Sequence, residues 1–260
     1  KHWRNTEIVT GDLVPGMRLL GCLPPGVGGT QASPFGVAAG LVYGDGTRGA
    51  NRASVVTPLG ATMETLRFFP EPTARYVATD NGVPGVRVSG LPGFMKDPPP
   101  LDESASYLFG WLAGYFAADG SVTKRGLPRM TCASRDHLDL FSLIASRVGI
   151  ACAEPTMAKR DGYGGGTGEK WEMSLIPSTV PERFLVRADH AERFAACPRR
   201  PSDSLWVVES VVPAGRGDVF CPTVGGTHTF ALEHWLLTGN TNPYGRVLIT
   251  DMPRPMVEAI

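Results

Sequence analysis

The chain has 260 residues, and its 25 Lys plus Arg balance 25 Asp plus Glu for a formal net charge of zero. That balance lacks the basic footprint usual for nucleic-acid binders, and no run of about 18 apolar residues suggests a membrane span. Five scattered cysteines (Cys22, Cys132, Cys152, Cys197, Cys221) form no Cys-x-x-Cys pair, which argues against a zinc ribbon or a disulfide framework and for a reducing compartment. Nothing reads as a signal peptide. The opening Lys1-His2-Trp3 has no initiator Met, so the chain is expected to begin inside a longer reading frame.

In chain order, residues 4–30 alternate polar and apolar positions between Gly and Pro, the pattern of short strands. Residues 33–44 form an apolar run opened by Ser33-Pro34, a helix start with Pro at its first position. Strands rich in Val, Thr and Arg follow, then a linker, Leu91 to Leu101, with three consecutive prolines. A second apolar run covers Ser104 to Ala118, and an amphipathic helix is expected from Asp136 to Val148. Gly162 to Gly168 lacks the Lys-Ser/Thr of a phosphate-binding loop and reads as a hairpin. Pro181 to Cys197 reads as a further helix, Leu205 to Leu237 as short strands, and Arg246 to Thr250 as a final strand.

The two apolar runs are copies of each other. Gly36, Gly40, Gly44 and Asp45 correspond to Gly110, Gly114, Ala118 and Asp119 at one constant offset, 74 residues. Tiny residues four apart let two helix backbones approach closely, and tight pairing would offset the roughly 1 kcal/mol that each glycine costs a helix. Such packing brings Asp45 and Asp119 to the same helix ends, where the dipoles are negative and extra carboxylates are disfavoured. A hard divalent cation such as magnesium would relieve that repulsion. The glycine after each Asp permits a left-handed helix end.

These residues resemble the paired motifs of LAGLIDADG homing endonucleases, with Ala38 to Gly46 and Leu112 to Gly120 as the two copies. The resemblance covers about residues 31–200, in repeats of about 31–100 and 101–200. It implies two αββαββα halves in pseudo-twofold array, with their sheets forming a saddle over the DNA major groove. It further implies Asp45 and Asp119 as magnesium ligands and catalytic carboxylates for cutting a long, asymmetric double-stranded site. Tyr43 and Ala117 stand where an acidic residue is common, but these positions are not ligands. Across residues 31–200, 19 Lys and Arg face 17 Asp and Glu. Arg48 and Arg52 follow the first motif and Lys124, Arg125 and Arg129 the second, while Lys159, Arg160 and Lys170 flank a later hairpin; all eight are expected on DNA-facing strands.

The flanks carry a second resemblance. Asp218 to Thr241 is similar to the C-terminal end of inteins and related Hint-fold autoprocessing domains, all-β units that end in Asn before a hydroxyl or thiol residue. This implies that Asn240 cyclises to release the bond to Thr241, and that Thr241 is the nucleophile that receives the upstream segment before that release. Trp3, Cys221 and Thr238 match the triplet of class 3 inteins, in which an internal Cys attacks the upstream junction; a thiol is several pKa units more acidic than an alcohol. His228 is the candidate for polarising the C-terminal junction, because Gly239 replaces the usual penultimate His. After Asn240, Thr250, Pro253, Arg254 and Pro255 resemble the segment following the Walker B region in phage terminase large subunits.

The expected fold is therefore α+β: an all-β Hint-type splicing domain (residues 1–30 and 201–240), truncated at its N-terminus and interrupted by the endonuclease, with residues 241–260 as a host fragment. The partners implied are double-stranded DNA and host exteins, for a monomer in the cytoplasm of a bacterial host cell. Two alternatives stay open: a LAGLIDADG-scaffold DNA-binding protein without self-processing, and a splicing domain whose endonuclease is inactive.

Overall fold

The computed structural model describes residues 6–22, 24, 30–58, 60, 63–70, 74–80, 83–161, 167–196, 205–213, 229–232, 235–239 and 246–250. Chain contacts divide it into two compact units, residues 24–200 and a second unit formed by both flanks, 1–23 and 201–260.

The flanking unit begins with strands β1 (Thr6–Val9) and β2 (Arg18–Leu20). The central unit then opens with helix α1 (Pro34–Asp45), as the Ser-Pro signal predicts: the Ser33 hydroxyl accepts from the Gly36 amide at 3.2 Å. Strands β3 (Gly46–Arg48) and β4 (Arg52–Pro58), a 3₁₀ turn at Met63–Phe68, then β5 (Ala74–Asp80) and β6 (Val83–Pro92) complete the first repeat. A 3₁₀ turn, Gly93–Lys96, leads to the linker.

Ser104 caps helix α2 (Ala105–Asp119) in the same way that Ser33 caps α1. Strands β7 (Gly120–Val122) and β8 (Pro128–Cys132), helix α3 (Arg135–Arg147), and strands β9 (Thr156–Asp161) and β10 (Thr167–Ser174) follow. The helix expected over Pro181 to Cys197 is shorter. A 3₁₀ turn at Glu182–Phe184 and a buried extended stretch, Leu185 and Val186, precede α4 (Ala188–Ala195). The chain returns to the flanking unit as β11 (Leu205–Val207), β12 (Thr229–Ala231), β13 (Leu237–Gly239) and β14 (Arg246–Thr250).

The repeat seen in the motifs extends to topology. Both sheets of the central unit are four-stranded and antiparallel, ordered β3-β4-β6-β5 and β7-β8-β10-β9. The second repeat keeps α3 and α4 where the first has only 3₁₀ turns. Beneath the sheets, α1 and α2 are buried on nearly every side, as helices apolar around their whole circumference must be. Trp111, Tyr115, Phe109, Phe116, Phe141, Phe184 and Phe194 dominate that core.

The flanking unit is a six-stranded sheet in the order β11-β2-β14-β13-β12, with β1 also paired to β14. Ile8, Leu19 and Val208 form its small core. Strand β14, which follows the candidate junction, is internal to this sheet and antiparallel to β1, β2 and β13.

Candidate metal centre and nucleic-acid face

The glycines of α1 and α2 meet backbone to backbone. A Cβ on Gly40 would lie 2.0 Å from the Trp111 carbonyl oxygen, and one on Gly114 would lie 2.1 Å from that of Val37. Gly36 and Gly110 repeat the pattern, at 2.6 Å from the Tyr107 oxygen and 2.5 Å from the Ser33 oxygen. Each contact maps onto its partner by the motif's own offset of 74 residues, so the helices cross about a local twofold. The left-handed helix ends that the glycines after Asp45 and Asp119 permit are not adopted. Gly46 and Gly120 have φ of −81° and are glycines for lack of room: a Cβ would lie 2.3 Å and 2.4 Å from the Val42 and Phe116 carbonyl oxygens.

This crossing carries Asp45 and Asp119 out together at the ends of their helices. A Cβ on Gly44 would meet the Asp119 carboxylate at 3.3 Å. Although both aspartates are open to solvent as residues, local desolvation and then the Asp45 charge push the Asp119 carboxyl up to about 6, with Lys96 opposing. Two carboxylates in mutual repulsion at negative helix ends form an oxygen site that a divalent cation would stabilise. Among the described residues, no group of three or more His, Cys, Asp or Glu could hold a metal by itself. Magnesium characteristically takes one or two carboxylates and completes its shell with substrate phosphates and water, so the pair fits that ion with nucleic acid bound. A pocket of about 20 Å3 beside Asp45, walled by Leu41, Thr57, Thr65 and Ala117, has room for one water.

Two basic residues missed by the sequence reading complete the site. Lys96 donates its ammonium to the Tyr43 carbonyl oxygen, and to that of Gly44 at 3.4 Å. Burial lowers its pKa, while Asp119 and then Asp45 draw it back up. Arg187 donates to the Ala117 carbonyl oxygen at 3.1 Å. Tyr43 and Ala117 are equivalent positions, so each motif helix has its exposed carbonyl end held by one cation. The two differ in their other partners: both carboxylates act on Lys96, whereas Arg187 is clamped by Asp189 at 2.9 and 3.0 Å. Tyr43, where an acid is common, packs its ring on Trp111 and Tyr115 at centroid distances of 4.8 and 4.9 Å.

The sheet faces turned away from the helices carry only part of the expected basic set. Arg52 opens the outer face of β4, and Arg129 lies on that of β8. Lys124 and Arg125 occupy the exposed tip of the β7–β8 turn, where Gly126 adopts φ of +79°. Lys170 lies on the outer face of β10. Arg48 faces the other way, paired with Asp97 and, at 3.4 Å, with the Gly93 carbonyl oxygen. Arg87 and Tyr76, neither one predicted, stand on the outer face of the first sheet; Arg87 donates to the Ser54 hydroxyl at 3.2 Å. Lys159 and Arg160 lie on β9, and their side chains are outside the described residues. Of the self-processing candidates, Thr238 is buried on β13. Trp3, Cys221, His228, Asn240 and Thr241 lie outside the described residues.

Residues 106–196 match the LAGLIDADG-like domain. This matched domain holds α2, both sheet hairpins of the second repeat, α3 and α4. Among solved structures, a single-substitution variant of the homing endonuclease I-DmoI in complex with its target DNA and magnesium is 12% identical, with 55% of this chain and 88% of that one covered and a TM-score of 0.39. I-DmoI with DNA and manganese is 13% identical over 55% and 90%, with a TM-score of 0.38. Full-length DUF199/WhiA from Thermatoga maritima is 12% identical over 64% and 56%, with a TM-score of 0.39. No curated protein matches the chain.

Proposed function

We propose that the central unit is a divalent-metal-dependent, site-specific DNA endonuclease of the LAGLIDADG type. One observation carries this: two motif helices packed backbone to backbone, with one acidic residue from each repeat at a shared end and a cation on the carbonyls beside it. Magnesium held by Asp45 and Asp119 would polarise a scissile phosphate and acidify an attacking water. The protein's own residues orient that chemistry. The glycine contacts fix the carboxylate separation, Tyr43 and Tyr115 lie within reach of the Asp119 charge, and Lys96 places positive charge where negative charge grows on the phosphate. Both carboxylates come from one chain, so a monomer suffices. The test is cleavage of a plasmid library with randomised inserts in magnesium. Recurring cut sites from the wild type and none from Asp45→Asn/Asp119→Asn are expected; equal cleavage by both proteins would overturn the assignment.

A second activity, self-processing of an intein type in a terminase-like host, is proposed for the flanks. It is favoured by their assembly into one unit that residues 24–200 interrupt, the arrangement an inserted nuclease would give. Cys221 would take the upstream acyl group, Thr241 would receive it, and Asn240 would cyclise. A longer reading frame expressed with Cys221→Ala should lose the upstream step, and with Asn240→Ala the downstream one. Normal splicing by Cys221→Ala would refute the class 3 assignment.

A further inference from the structure

An acid sits among the cations of the second sheet's outer face. In β8, Pro128 and Met130 are buried, which turns Arg129 and Thr131 outward; in β10, buried Met173 turns Glu172 and Ser174 outward. The register sets Glu172 opposite Thr131 and Ser174 opposite Arg129, with Lys170 two residues before Glu172 on the same face. Glu172 Oε2 accepts from Arg129 at 3.0 Å, and Oε1 lies 2.5 Å from the Lys170 ammonium. The carboxylate is the least exposed of the three side chains, at 19% against 35% and 26%.

A face built only to attract phosphates has no use for this residue, which cancels one of its charges. Its chemistry is directional instead. In the major groove an ionised carboxylate can only accept, and the donor it meets at a G·C pair is the cytosine N4 amino group. An arginine fork matches the O6 and N7 acceptors of the paired guanine. With A·T in the same orientation, thymine would turn its O4 acceptor toward the carboxylate.

We propose that Arg129 and Glu172 read one G·C pair as a unit, and that Glu172 makes this position selective at the expense of general DNA affinity. This rests on the reading of the central unit as a DNA-binding enzyme, although the test needs no catalysis. The full chain is equilibrated without divalent metal with a pool of randomised duplexes, and bound and free fractions are sequenced. Wild type should enrich a motif with one G·C position. Glu172→Gln should lose that preference by about tenfold or more, leave other positions intact, and bind the pool with a log–log salt slope steeper by about 0.9. Arg129→Lys, which keeps the charge but not the fork, should relax the same base pair. Glu154→Gln, which removes the charge from the exposed Arg135 pair, serves as the control. A motif unaltered by Glu172→Gln overturns the proposal and leaves the enzyme reading standing; a wild type that enriches nothing overturns both.

Discussion

Replacing Gly114 with Ala sets two effects of opposite sign against each other. Helix propensity alone favours Ala by about 1 kcal/mol in a helix interior. Against it, the new methyl would lie 2.1 Å from the Val37 carbonyl oxygen and 2.9 Å from the Leu41 amide nitrogen. Both obstacles are partner-helix backbone, so no side-chain rotation relieves the clash. Reaching ordinary contact requires the helices to part by roughly 1 Å, a gap that forfeits a quarter to a half of each dispersion contact across the interface. Overpacking of this kind costs about 1–3 kcal/mol where side chains can yield, and more where they cannot. A net loss of at least about 2 kcal/mol is therefore expected for Gly114→Ala. Gly40→Ala should behave alike, its methyl lying 2.0 Å from the Trp111 oxygen. The double variant should cost less than the sum, because helices already parted by one methyl accept the second. Hydrogen exchange of the α1 and α2 amides, with urea denaturation alongside, measures the change. Gly49→Ala is the control, since its methyl meets only the Arg52 oxygen at 3.4 Å. A Gly114→Ala protein more stable than wild type would refute backbone contact between the helices.

Other outcomes follow from the charges. Asp119, raised to about 6, binds its proton more tightly folded than unfolded, so its contribution to stability is lost as pH rises from about 4 to 6. Asp119→Asn should therefore stabilise the metal-free protein at pH 7.5, on the order of 1 kcal/mol after allowance for solvent screening, while abolishing cleavage; a drop in melting temperature would contradict this. His190 is buried, its Nδ1 has no hydrogen-bond partner, and desolvation with Arg187 nearby holds its pKa down to about 4. The unfolded chain protonates near 6.5, so up to about 3 kcal/mol should be lost as pH falls from 6.5 to 4. His190→Phe should flatten that slope in urea titrations across the same range, and an unchanged slope would count against the assignment. Lys96→Met should reduce cleavage by about 100-fold or more with DNA affinity little changed; equal losses in both would make Lys96 a binding residue only.

The sequence revealed the motif helices because glycine spacing, capping serines and paired aspartates all recur at one offset. Lys96 and Arg187 did not follow that offset. The second repeat inserts α3 and longer turns, so residues that do equivalent work on equivalent carbonyls lie 91 positions apart. Arg48 lies off the outer face for a reason the sequence already contained. Side chains alternate along a strand, which places Arg48 with Gly46 on the helix-facing side and leaves Thr47 outward. Glycine's freedom permits left-handed ends, whereas close packing is what requires glycine there. Arg87 and Tyr76 needed the β4–β6–β5 register to be recognised as neighbours on one face.

Whether the paired aspartates are a metal-dependent nuclease centre is tested most directly by sequencing the ends that the purified chain generates in a randomised plasmid library with magnesium. Breaks converging on one recurring sequence, absent in EDTA and absent from Asp45→Asn/Asp119→Asn, are expected. Breaks that persist in the double variant, or a wild type that leaves the library intact, would contradict it.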